Sequence, residues 1–184
     1  MHPIKYIWAL RALVYKFCFE KVGNMTYIGK PCFIEGGKRI SIGYRTRIFP
    51  GIRMEAIGTG KIKIGNNCAI EQNVHITAAG GILHIGDDVT IAANTFITNI
   101  DHEYRNIACS VMEQGHILKE TTIGEGCFIG YGAAIQAGTK LGKHCVVGTN
   151  AVVKGDFPDY CVIVGCPAYI VKRYDCKIRM WIKV

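Results

Sequence analysis

The chain has 184 residues, enough for one domain with a sizeable core, and 49% of them are hydrophobic. No apolar run approaches the ~20 residues that a membrane-crossing helix needs, and Arg11 and Lys16 interrupt the start in a way that a cleavable signal sequence would not. The formal charge of +8 is concentrated toward the two ends and favours an anionic partner: a nucleotide cofactor, a phosphorylated acceptor or a membrane surface.

In chain order, residues 3–22 place Ile7, Leu10, Val14, Phe17 and Cys18 at helical spacing, with Lys5, Lys16 and Glu20 elsewhere around the wheel. This predicts a helix of about four turns within an N-terminal segment 1–23. Two roles fit it. It can cap the first coil of the repeat that follows, or it can be a peripheral membrane contact through residues 1–22, since Trp8, Tyr6, Tyr15 and the basic residues suit an interface.

Residues 24–167 carry a six-residue beat. Ile42, Ile48 and Met54 open it, followed by Ile64, Ile70 and Ile76, then Ile85, Ile91 and Ile97, and after a break Ile123, Ile129, Ile135, Leu141, Val147 and Val153. Two positions before most of these aliphatics stands a small or branched residue, and Gly often follows. Two inward side chains separated by one outward side chain make a short strand, and the rest of each hexad must turn a corner. Three flats close a triangular coil in about 18 residues, so the fold class is all-β, a parallel β-solenoid with an N-terminal helix. Cys32, Cys68, Cys127 and Cys145 fall in the small inward slot, which reads as buried free thiols and a reduced, cytoplasmic protein.

The beat stops between Ile97 and Ile123, predicting an extruded loop 98–122. A loop this long in so economical a repeat points to function. After residue 167 the basic tail 168–184 is either a strand along the solenoid or a short closing helix.

His102 lies where the last regular coil gives way to the loop, and an imidazole there suits a general base. Around it, IGDDVTIAANTFITNIDHEY and TTIGEGCFIGYGAAIQAGTKLGKHCVVGTNAVVKGDFPDYCVIVGCPAYIVK resemble the hexapeptide-repeat acyltransferases. Within them the stretch is most similar to the galactoside, maltose and nodulation acetyltransferase branch, which includes polysaccharide O-acetyltransferases. The family's Asn with a His eight residues later matches Asn94 and His102.

The resemblance implies a left-handed solenoid, a homotrimer with active sites between subunits, acetyl-CoA as donor and a hydroxyl of a sugar or glycan precursor as acceptor. His102 would deprotonate that hydroxyl for direct attack on the thioester, with the Tyr131 amide as oxyanion donor. The absence of a G-x-S-x-G elbow agrees with direct attack. Asn73 matches a family Asn near the acceptor, and it also suits a ladder of turn-position asparagines together with Asn94. His75 either lines the acceptor pocket or is an outward structural His, the latter preferred. Gly130, Tyr131, Gly148, Thr149, Lys154, Gly165 and Pro167 match or neighbour cofactor contacts, with Lys172 and Arg173 as phosphate partners.

The chain departs from the galactoside type at Lys154–Gly155, where relatives carry Thr-Lys, and at Ala78 and Ala79, where they carry acidic acceptor ligands. No metal is expected. His84 and His102 share hexad phase and could stack on one face, but a close His pair and a third ligand are missing. Nor is a nucleic-acid partner expected, the basic residues being scattered. Localisation is read as cytoplasmic, with a peripheral inner-membrane position as the refinement. The alternatives to O-acetylation are N-acetylation of an amino sugar and a non-catalytic scaffold.

Overall fold

The computed structural model of the chain describes residues 3–184. Helix α1, Ile4–Cys18, starts after Pro3, whose fixed φ suits a helix start, and ends at Phe19, which is extended. The chain then winds through three faces in fixed order. Face A takes strands such as Ile40–Ile42 and Ile82–Ile85, face B Arg47–Ile48 and Thr90–Ile91, and face C Arg53–Ile57, His75–Ala79 and Phe96–Thr98. Among the described residues the faces form sheets of 7, 9 and 6 strands, and their coil-to-coil pairing is parallel.

The hexad explains this architecture. Ile42, Ile64, Ile85, Ile123 and Leu141 sit in register on face A. Ile48, Ile70, Ile91, Ile129 and Val147 do so on face B, and Met54, Ile76, Ile97, Ile135 and Val153 on face C. All are buried, and each is worth roughly 1.5–3 kcal/mol of apolar transfer. The long loop leaves this register untouched, since Ile85 pairs with Ile123 directly across it.

The small slot at the corner between faces A and B has a polar logic as well. Thr26 and Thr46 donate their hydroxyls to the carbonyls of Gly43 and Gly65, one coil on, at 2.7 and 2.9 Å. Cys68, Cys127 and Cys145 donate their thiols to Gly86, Gly142 and Pro158 at 3.1–3.2 Å. Thr and Cys interchange there because both are small and both satisfy that carbonyl, while Val89, in the same column between Cys68 and Cys127, fills the slot without a donor. Burial pushes the Cys68 thiol up to about 11, so it stays protonated as a donor. Cys32 departs from the expectation: it is exposed, in the irregular first coil after Pro31.

Both ends of the solenoid are covered. Helix α1 packs on the first coil through Trp8, Ala12 and Tyr15. The Trp8 ring lies 5.9 Å from Tyr27 and 5.6 Å from Phe49, and Arg11 donates to the carbonyl of Ile28 at 2.9 Å. The residues singled out by helical spacing, Ile7, Leu10, Val14, Phe17 and Cys18, face away from the solenoid. At the other end the tail is a strand rather than a helix: Ala168–Asp175 returns antiparallel on Cys161–Gly165, and Met180–Lys183 pairs beside it. Ala168 and Ile170 pack on the core.

Candidate active site

The loop leaves at the corner between faces C and A and folds into a hairpin, Ile100–His102 against His116–Leu118. Its tip is a short turn capped by Ser110 and Glu113. Between the hairpin and the outward side of face C lies a cleft of about 470 Å³. His102 lines it opposite His116, their ring centres 4.8 Å apart. Its acidic neighbours in sequence do not touch it. Asp101 pairs with Lys154 at 3.3 Å, and Glu103 is held by Arg105, which drives its carboxyl down to about 2. Lys154 thus ties the root of the loop to face C from inside the cleft.

Outward side chains one coil apart stack on face C. Arg53, His75 and Phe96 form one column, and Glu55, Thr77 and Thr98 the next. Glu55 is buried. It accepts two hydrogen bonds from Arg53 at 2.8 and 2.9 Å, and its Oε2 lies 2.8 Å from His75 Nε2 and 3.2 Å from Thr77 Oγ1. The Arg53 guanidinium, with help from His75 and Thr77, holds the Glu55 carboxyl at about 2 despite burial. Phe96 meets the His75 ring edge-on at 5.2 Å. His75, Thr77, Phe96 and His102 line the same cleft. His75 is therefore both held structurally and placed at the cleft, where the sequence reading preferred the first role alone.

The other sequence-derived residues gather elsewhere. Asn73 and Asn94 share the corner between faces B and C, both with positive φ (57° and 59°), in a column with Gly51, Gly132 and Asn150. Asn tolerates this left-handed backbone better than most residues, which accounts for the ladder. Asn94 donates to the Tyr131 hydroxyl. At the same corner a Cβ on Gly130 would come within 2.7 Å of the Thr149 amide, so these coils approach closely. Among the described residues the amides of Tyr131 and Thr149 have no partner. Gly165 and Pro167 form the turn before the returning strand. Lys172 and Arg173 follow on it as neighbours, so they leave on opposite sides.

In chain order this corner precedes face C and the His102 hairpin follows it, with a strand of three to five residues between them. Neither Asn73 nor Tyr131 lines the cleft that holds His102. His84 is likewise apart, on face A between Lys63 and Thr122, because the loop interrupts the stacking its phase suggested. The sequence reading missed Glu55, Arg53, Thr77 and His116. The intervals 53–75–96 and 55–77–98 were the available signal, one coil each.

WbbJ of Escherichia coli (strain K12), assigned to lipopolysaccharide biosynthesis as an O-acetyl transferase, is 32% identical over 169 residues, covering 87% of this chain and 85% of that protein. The chain is a hexapeptide-repeat acyltransferase. The family description "Bacterial transferase hexapeptide (six repeats)" matches residues 120–155, and "Hexapeptide repeat of succinyl-transferase" matches 83–99. Among solved structures, the N-acyltransferase AntD from Bacillus cereus, with dTDP and coenzyme A, superposes with a TM-score of 0.76 at 21% identity, covering 90% of each chain. A galactoside acetyltransferase in complex with coenzyme A gives 0.64 at 21% identity, covering 96% of this chain and 75% of that one. These two share the fold of the acyltransferase described here.

Proposed function

We propose that this acyltransferase moves an acetyl group from acetyl-CoA to a hydroxyl of a sugar or glycan precursor. The observation that carries the reading is the cleft on face C, where a loop-borne imidazole and a carboxylate-held imidazole line one pocket. WbbJ, a relative along most of both chains, supplies the O-acetyl and glycan part of it.

The unpartnered amides of Tyr131 and Thr149, at a glycine-bearing corner, fit an extended amide-containing arm such as pantetheine. When bound, acetyl-CoA supplies an activated thioester. His102 takes the proton of the acceptor hydroxyl as its oxygen bonds to the thioester carbon. The Tyr131 amide donates to the oxyanion. As the C–S bond breaks, the imidazolium returns its proton to the departing thiolate.

In this reading Tyr131 and Asn73 come from a neighbouring copy, because neither lines the cleft that holds His102 within a single chain. A closed ring of three copies is the assembly proposed, with the cytoplasm as the compartment that supplies the donor. Among the described residues, no helix is long and apolar enough to cross a membrane.

Release of free coenzyme A thiol, measured with a panel of sugars, tests the proposal. Acceptor-dependent release that drops about 10²–10⁴-fold in folded His102→Ala supports it. Undiminished release in that variant overturns the role of His102. The likeness to AntD, also solved with dTDP-4-amino-4,6-dideoxyglucose, favours a second reading, N-acylation of an amino sugar. An amino sugar that outcompetes its hydroxyl counterpart decides for it.

A further inference from the structure

The outward side of helix α1 is apolar along its length. Tyr6, Ile7, Leu10, Leu13, Val14 and Phe17 are 54–80% exposed. At 100° per residue they fill a continuous arc of roughly 120°. Single exposed apolar side chains are ordinary, but a stripe of six marks a surface that something covers. Packing on the solenoid does not require it, since Trp8, Ala12 and Tyr15 make that contact from the opposite side.

Charge indicates what covers it. Lys5, Arg11 and Lys16 lie on the helix, which has no acidic residue. Over residues 3–34, Lys5, Arg11, Lys16, Lys21 and Lys30 stand against Glu20 alone. Lys38 adds a further ammonium at the helix end, donating to the carbonyl of Phe17 at 2.6 Å. We propose that this face docks on the surface of an anionic lipid bilayer. The stripe enters the boundary between headgroups and acyl chains, and the net positive field of this end of the chain draws it to lipid phosphates, the cationic groups of Lys5, Arg11 and Lys16 standing beside the stripe on Tyr27, the Ile28 carbonyl and Asn24.

A second copy of the chain is the competing occupant. Whether it pairs two-fold or follows around the ring of three, a second copy brings the same net charge of +8, so it offers the basic margins no net counter-charge. Anionic lipid satisfies both the apolar stripe and its margins. The 15 residues of α1 span about 22 Å, short of the ~30 Å hydrocarbon core, so the helix lies on the bilayer. The contact leaves the cleft open, because the helix packs on the first coil and the cleft lining begins at Ile57.

Flotation of the full-length chain with vesicles tests this. One set is an equal mixture of phosphatidylcholine and phosphatidylglycerol, the other pure phosphatidylcholine. The expected result is binding to the mixed vesicles at least ~10-fold tighter than to the neutral ones, and a fall of at least ~10-fold on combining Leu10→Glu with Phe17→Glu. Both positions are exposed, so thermal melting and sedimentation should not change. Three results overturn the proposal: a wild-type chain that does not float, equal binding to both vesicle types, or a double variant that floats like wild type. A drop in oligomer size in the double variant, without flotation of the wild type, assigns the face to a second copy instead.

Discussion

Glu55 and His75, one coil apart on the outward side of face C, share a hydrogen bond of 2.8 Å at the cleft that also holds His102. The carboxylate is buried and gripped by Arg53, so its position is fixed and it fixes the imidazole in turn. Among the described residues His102 has no carboxylate partner of this kind. The two histidines therefore suit different tasks. In the reaction proposed above, His75 is the fixed wall that orients the acceptor and His102 the base presented from the hairpin.

Glu55→Gln should raise the acceptor KM about 10-fold or more while leaving acetyl-CoA affinity within about 2-fold. Titration calorimetry with acetyl-CoA and steady-state kinetics in acceptor separate the two. A fall in kcat with unchanged acceptor KM would show that Glu55 does not act through acceptor binding.

Glu55 also gives stability a definite pH dependence. Its carboxyl is held at about 2 in the fold, against 4.5 ordinarily. A depressed folded value contributes stability that is complete above the unfolded value and lost as pH falls through the folded one. The loss should run from about pH 4.5 down to 2 and amount to at most about 3 kcal/mol. Urea midpoints measured across this window should fall more steeply for wild type than for Glu55→Gln. Parallel curves would remove Glu55 from the account of acid stability.

The solenoid was legible because its period comes from geometry: a two-residue flat and a tight corner can repeat only in steps that the Ile columns display directly. The orientation of α1 was not legible. Ile7, Leu10, Val14 and Phe17 have the spacing of a buried stripe, yet the docked side is Trp8, Ala12 and Tyr15, because the tilted and edge-on contacts of the Trp8 ring with Tyr27 and Phe49 decide the packing. His102 stood out through its motif, whereas Glu55 and Arg53 did not. A charged residue in an outward slot looks like ordinary surface until the next coil and the loop hairpin cover it. The separation of Asn73 from His102 was hidden for a related reason: phase along the chain says which corner a residue occupies, not which side chains reach one cleft.

The slot at the corner between faces A and B predicts which substitutions of Cys68 survive. Cys68→Thr keeps a donor to the Gly86 carbonyl, as Thr46 does for Gly65 one coil earlier, and should change stability by less than about 1 kcal/mol. Cys68→Ala loses the donor and leaves a small void, costing about 1–2 kcal/mol. Denaturant melts of the two variants decide. An Ala variant as stable as the Thr variant would mean that the slot selects for size alone.

The separation of the Asn73 corner from the His102 hairpin leads to a complementation experiment. Asn73→Gly removes the amide side chain while tolerating the left-handed backbone at φ 57°. With His102→Ala it forms a pair of variants, each impaired alone. If one active site takes Asn73 from one copy and His102 from the next, a mixed assembly contains some sites with both native residues. Co-expression with two affinity tags, followed by isolation of mixed oligomers, should then recover activity that neither variant shows by itself. Mixed oligomers no more active than their parents would confine each site to a single chain, and with it return Asn73 to the role of a turn residue.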